Sequence, residues 1–416
     1  MILIINKIKN NNLMRNIFSL SILQVVSAIL SIVLIPLLAR VLEPSTFGLV
    51  MFIHLITSYF IWFSEWGFSQ GGAQKIAIFR SEKAILSKIF NQIYSSQLFL
   101  VILAVIPLFF TLYFFQAKYH YDILTINLIL VYFILSSSIP IWFLSGIEKV
   151  TFAIVVQIYP KILALLSVIF FLKKPDDYLY YFISLILGLV IAMTHCFIEI
   201  FKTQKIFFSI VNPYTQLKEN FNYFISSFTK TMTSNIIPFF LSLLTSVEIF
   251  GFYALADKIK GAILIILNPI YQSLFPRMCH IVNQKSYYSY LRKYSIFIIL
   301  LILVLSLSVF FFIDYIVFYF VGIEYHYSSE LIKWMIPSII MNSLVSICFY
   351  FVLIPFNLSK SIMKVSLLNF IFILIISYPI IGLMKSYGAI IILTISEIIF
   401  LLFYIYIINK NNLLKK

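Results

Sequence analysis

Runs of twenty or more apolar residues recur along the whole chain, from Ile17–Leu38 to Tyr387–Ile408, separated only by short polar and basic breaks. A hydrocarbon core about 30 Å thick needs about 20 such residues per helical crossing. The runs predict twelve spans, roughly 17–39, 47–68, 92–115, 122–146, 151–172, 178–201, 221–244, 249–272, 294–320, 331–356, 362–384 and 387–408. Membrane β-strands would instead show ten-residue alternating segments, which the sequence lacks. The longest breaks, near 69–91, 202–220 and 273–293, leave no room for a soluble domain. The expected fold class is therefore an all-α polytopic membrane protein of about 12 transmembrane helices.

Composition sharpens this picture. Hydrophobic types make up 62% of the 416 residues and mean hydropathy is +1.04, more apolar surface than a soluble core could hide. The formal charge of +15 could suggest nucleic-acid binding, but its placement points elsewhere. With the N-terminus in the cytoplasm, 20 of the 30 Lys and Arg fall in cytoplasmic segments, 6 on the opposite side (Arg40, Lys118, Lys173, Lys174, Lys333 and Lys385) and 4 within spans. That is a positive-inside bias, with both termini cytoplasmic and no nucleic-acid partner. Met1–Asn16 and the apolar run after it read as a retained signal-anchor. Cys196, Cys279 and Cys348 lie far apart, which suggests packing rather than a disulfide framework or zinc site.

The polar stretch 202–220 divides the chain into a six-helix lobe over 1–201 and another over 221–416. A trace of duplication agrees: Ser45-Thr46-Phe47-Gly48-Leu49 and Glu248-Ile249-Phe250-Gly251-Phe252 place two Phe-Gly pairs 203 residues apart. Parallel repeats of this kind often flank a substrate cavity. Prolines inside spans, among them Pro36, Pro107, Pro160, Pro238, Pro269, Pro337 and Pro379, predict kinks. In 69–91, Ser81-Glu82 reads as a helix start that would set Ile78, Ile85 and Ile89 on one face at the inner leaflet, or else as a solvated connector.

Charges that cannot reach water are the informative residues. Lys161, Lys230, Lys258 and Lys260 lie inside spans five, seven and eight, with Lys161 and Lys230 near mid-span. A lysine at the bilayer centre costs about 2.5–3.5 kcal/mol on insertion scales, so it faces a wet cavity or pairs with an acid. The available acids are Asp257, Glu397 and Asp314, which are also the candidates for coupling to protons or sodium. Unpaired lysines from both lobes would attract an anionic group such as a diphosphate, and Arg40 and Gln24 would extend that path. Arg40 also reads as an interfacial anchor. The histidines His54, His120, His195, His280 and His326 are scattered, with no metal-ligand spacing, and no phosphate-binding glycine loop exists. No catalytic constellation, cofactor or metal is therefore expected.

Arg15-Asn16-Ile17-Phe18-Ser19 and the stretch from Ile35-Pro36 through Arg40-Val41-Leu42-Glu43-Pro44 to Phe47-Gly48 resemble the opening of Wzx-type O-antigen flippases. Glu43 stands where that pattern usually has Gly. Ser64-Glu65-Trp66-Gly67-Phe68 with Lys75-Ile76-Ala77 and Arg80, and Gly251-Phe252-Tyr253-Ala254-Leu255-Ala256-Asp257-Lys258-Ile259, resemble further stretches of the same family. The resemblance implies the multidrug/oligosaccharidyl-lipid/polysaccharide exporter fold, two six-helix lobes around a central cavity. It implies a bacterial inner-membrane flippase that moves an undecaprenyl-diphosphate-linked oligosaccharide from the cytoplasmic to the periplasmic leaflet for lipopolysaccharide O-antigen or capsule. The polysaccharide polymerase and chain-length regulator would be its neighbours. Two other readings stay open. An ion-coupled multidrug antiporter of the same fold would favour acids over lysines in its cavity. A membrane-embedded polysaccharide polymerase or acyltransferase would need a long outward loop, whereas the outward segments here are ten residues or fewer.

Overall fold

The computed structural model describes residues 12–203, 205–284, 286–411 and 413, and among them every regular element is helical. Two helices are too long for one crossing. α1 (Asn12–Glu65) runs 54 residues and breaks at Glu43 (φ 58°, ψ 164°), ahead of Pro44. Proline lacks an N–H and fixes φ near −65°, so it starts a helix readily but ends the one before it. α12 (Ser359–Lys410) runs 52 residues and breaks at Lys385 (φ 51°, ψ −127°). Each is thus two consecutive crossings, and the chain is an all-α polytopic membrane protein.

Between them lie α2 (Gly71–Phe79), α3 (Lys83–Tyr119), α4 (Ile123–Ser138), α5 (Ile141–Gly146), α6 (Val150–Phe170), α7 (Tyr178–Ile198), α8 (Tyr214–Leu244), α9 (Val247–Ile281), α10 (Tyr287–Phe320) and α11 (His326–Cys348). Local chemistry sets several boundaries. The Asp122 carboxylate accepts the Thr125 N–H at the start of α4, and the Ser246 hydroxyl accepts the Ile249 N–H at the start of α9. Pro140 separates α4 from α5. The helix start read at Ser81-Glu82 is present, since α3 begins at Lys83 with Glu82 as its N-cap. The common face expected for Ile78, Ile85 and Ile89 is not, because α2 (Gly71–Phe79) is a separate helix and the chain breaks at Arg80–Glu82. Ile78 and Ile85 therefore sit on different helices and are both exposed, while Ile89 is buried. The Gly67 turn (φ 75°) ahead of α2 packs closely on Tyr223 and Phe224.

The chain forms two compact units, one from the residues up to Leu42 with Phe52–Phe228, the other from Glu43–Met51 with the residues from Thr229 onward. In the first unit a core of Phe68, Ile76, Phe90, Trp142 and Phe143 knits α2, α3 and α5. Inside it the Gln97 amide donates to the Ser137 carbonyl (2.6 Å) and accepts from the Trp142 indole (2.8 Å), so the buried polar groups satisfy one another. Ion pairs Lys75–Glu219, Arg80–Glu148 and Lys149–Glu199 draw three interhelical loops to one end of this unit.

In the second unit Tyr271, Tyr287, Ile298, Ile302 and Phe351 centre the core. The Tyr271 and Tyr287 hydroxyls donate to the carbonyls of Ser343 (3.2 Å) and Phe351 (2.8 Å). The short segment Glu43–Met51 is set against the first turns of α9 here. A Cβ on Gly48 would lie 2.2 Å from the Val247 carbonyl oxygen, and one on Gly251 2.1 Å from the Pro44 carbonyl oxygen. The two Phe-Gly pairs read from the sequence thus lie on one another, each glycine admitting the other's backbone.

Candidate functional site

α6 carries Lys161 as its twelfth residue of 21, near mid-membrane. The preceding Pro160 is buried against Gly188 of α7, where a Cβ would come within 2.4 Å of the Pro160 Cα. That close approach fixes α6 on one side and leaves Lys161 directed at α1. There the ammonium donates to the hydroxyls of Ser27 (2.8 Å) and Ser31 (3.0 Å) and, at 3.4 Å, to the Ser27 carbonyl. An ammonium has three N–H donors and finds three acceptors, none of them an anion. Among the described residues no carboxylate pairs with Lys161. Its hydrogen bonds are satisfied while its charge is not neutralised. The ion-pair explanation of this lysine therefore does not apply within the described residues.

The other sequence candidates fall in different places. Gln24 is exposed one turn before Ser27 on the same face of α1. Gln157, exposed and one turn before Lys161 on α6, escaped the sequence reading, although its four-residue spacing from Lys161 was visible there. Arg40 is exposed and makes no ion pair among the described residues. Lys230 lies on α8, but its side chain is outside the described residues.

In the second unit Lys258 is exposed, whereas Lys260 turns back to pair with Asp257 (2.7 Å). Asp257 is thus held by a lysine three residues away. Asp314 is likewise held: it pairs with Lys333 and accepts from the Ser329 hydroxyl (2.7 Å), an arrangement that joins α10 to α11. Glu397 differs. Half-buried on α12, it accepts from the Asn342 amide (2.9 Å) and has no ion pair among the described residues.

His54 and His195 take packing roles, hydrogen-bonded to the hydroxyls of Tyr181 (2.9 Å) and Tyr159 (2.8 Å). His120 ends α3 in the left-handed conformation. Among the described residues no cluster of His, Cys, Asp or Glu could hold a metal ion, and the three cysteines are free thiols.

A family model described as polysaccharide biosynthesis protein matches residues 13–282. A candidate O-antigen transporter of Escherichia coli (strain K12) is 24% identical over 97% of this chain and 98% of its own length. One of Shigella dysenteriae is 23% identical over 94% and 98%. Among solved structures, an inward-facing multidrug resistance MATE family transporter of the MOP superfamily superposes with a TM-score of 0.71 at 11% identity, covering 94% of this chain and 96% of that one. The lipid II flippase MurJ, in an inward closed conformation, follows with a TM-score of 0.65 at 16% identity over 95% and 89%. These likenesses show that the chain has this transporter fold.

Proposed function

The chain belongs to the polysaccharide biosynthesis protein family, and on that premise we propose that it is a flippase for undecaprenyl-diphosphate-linked oligosaccharide repeat units. It carries them from the cytoplasmic to the periplasmic leaflet of a bacterial inner membrane, for O-antigen or capsule assembly. The observation that supports this reading is Lys161, a mid-membrane ammonium whose hydrogen bonds go to two serine hydroxyls and a carbonyl and whose charge has no acid beside it among the described residues. Such a group attracts an anionic headgroup: at an effective dielectric constant near 20, a unit charge pair at 4 Å is worth about 4 kcal/mol before desolvation. The same charge disfavours the cationic cargo of a multidrug antiporter. Translocation makes and breaks no covalent bond, so the chain acts as a transporter rather than an enzyme.

For coupling we assign Glu397. Asp257 and Asp314 are ion-paired to lysines, whereas Glu397 accepts from the Asn342 amide and forms no ion pair among the described residues, so it can exchange a proton or sodium without first breaking one. The test is a clean deletion in a strain without a second flippase, with the leaflet location of extracted lipid-linked intermediates followed. Intermediates should accumulate on the cytoplasmic side and surface polymer should disappear; normal polymer sinks the proposal. In the complemented strain Glu397→Gln should make flipping indifferent to an imposed ion gradient. Retained gradient dependence would remove Glu397 from the coupling role and leave the flippase reading standing.

A further inference from the structure

The segment 205–213 joins α7 to α8 without regular structure of its own, yet it is clamped along α3 between Asn91 and Ser96. The Asn91 amide donates to the Phe207 carbonyl (3.1 Å) and accepts from the Ser209 N–H (3.1 Å). The Ser95 hydroxyl accepts from the Val211 N–H (3.0 Å) and donates to the Ser209 carbonyl (3.4 Å). The Ser96 hydroxyl donates to the Pro213 carbonyl (3.0 Å). Backbone groups at every second residue thus find partners on α3 instead of water. Ile206 is buried beneath the segment, but Phe207 and Ile210 stand away from the protein, 76% and 87% exposed.

Irregular backbone is tolerated beside hydrocarbon only when its polar groups are satisfied within the protein. The side chains of Asn91, Ser95 and Ser96 meet that requirement at alternate residues, along the side of the segment that faces α3, which a water-facing linker would not impose. Asn91 and Ser95 also lie on the same face of α3 as Ile102 and Ile106, which are 72% and 63% exposed two and three turns beyond Ser95. The segment therefore covers the polar end of a face whose continuation is bare and apolar. Exposed Lys202, Lys205 and Lys218 flank it, the charge that anionic headgroups attract.

We propose that 205–213 is an interfacial strap that inserts Phe207 and Ile210 into the adjacent lipid leaflet, with Asn91, Ser95 and Ser96 standing in for water at its backbone. The occupant of this apolar surface is the lipid itself. The inference is independent of which substrate is moved.

The test places single cysteines at Phe207 and Ile210 in the full-length protein lacking Cys196, Cys279 and Cys348. Each is labelled with an environment-sensitive fluorophore and reconstituted in vesicles of zwitterionic and anionic phospholipid. Shallow spin-labelled lipid should quench both sites several-fold more strongly than aqueous iodide. Asn91→Ala with Ser95→Ala should move the ratio toward iodide, because the freed backbone groups then seek water. Strong iodide quenching without lipid quenching in the parent would overturn the proposal. Protection from both quenchers would also overturn it, since a protein surface, such as a second copy, would then cover the site.

Discussion

At the scale of single residues, Lys161 carries the sharpest expectation. Lys161→Ala should abolish or strongly reduce complementation of a deletion strain while membrane protein level stays normal. Lys161→Arg should retain part of the activity, since the charge survives but the planar fork fits the two serine hydroxyls differently. Ser27→Ala with Ser31→Ala should weaken activity less than Lys161→Ala, because two of three acceptors go but the charge remains. Full complementation by well-expressed Lys161→Ala would end the cationic-headgroup mechanism. Lys161 was legible in the sequence because a charge at mid-span is costly wherever the helix lies. Its serine partners were not, since which face of α1 meets α6 depends on tertiary packing. The Asp257–Lys260 pair was legible as an i, i+3 spacing, and it alone shows why the exposed Lys258 and the paired Lys260 cannot be ranked by hydropathy.

At the scale of elements, the two Phe-Gly pairs were readable as a repeat, but not as a contact. Their geometry is reciprocal: Gly48 faces the Val247 carbonyl, Gly251 the Pro44 carbonyl, and each glycine nitrogen lies 3.1 Å from where the other's Cβ would be. Backbone cannot yield as a flexible side chain does, so Gly251→Val should push Glu43–Met51 away from α9. Overpacking of this kind typically costs about 1–3 kcal/mol. We expect Gly251→Val to lower the thermal unfolding temperature in detergent by several degrees. Gly261→Ala on the same helix, where no atom lies within 4 Å of the new Cβ, should leave it unchanged or slightly raised. Equal stability of the two variants would show that the seam is not tight. The helix start at Ser81-Glu82 was legible, since α3 begins at Lys83; that Ile78 belongs to a separate helix, α2, was not, because apolar spacing alone does not mark the break at Arg80–Glu82.

At the scale of the whole molecule, hydropathy found the crossings but not the lengths of the helices. α3 runs 37 residues, Lys83–Tyr119, where the apolar run suggested 92–115, because its first turns are helical but carry the exposed Lys83 and Lys88 and so do not read as part of an apolar crossing. Membrane orientation rests on the distribution of Lys and Arg, and the structure adds a constraint inside the first unit. Lys75–Glu219, Arg80–Glu148 and Lys149–Glu199 tie together the loops after spans two, four and six. Those loops must share one side of the membrane, and we predict from the basic bias that it is the cytoplasmic one. On that prediction the loop carrying Lys173 and Lys174, after span five, faces the periplasm. Alkaline phosphatase fused after Lys174 should be active, and after Lys205 or Lys416 inactive, while a fluorescent protein should report the reverse. The Lys205 fusion is the decisive one, because three ion pairs carry its side with it: an active phosphatase there would invert every even loop of the first unit together. The basic bias would then have to be explained as something other than orientation.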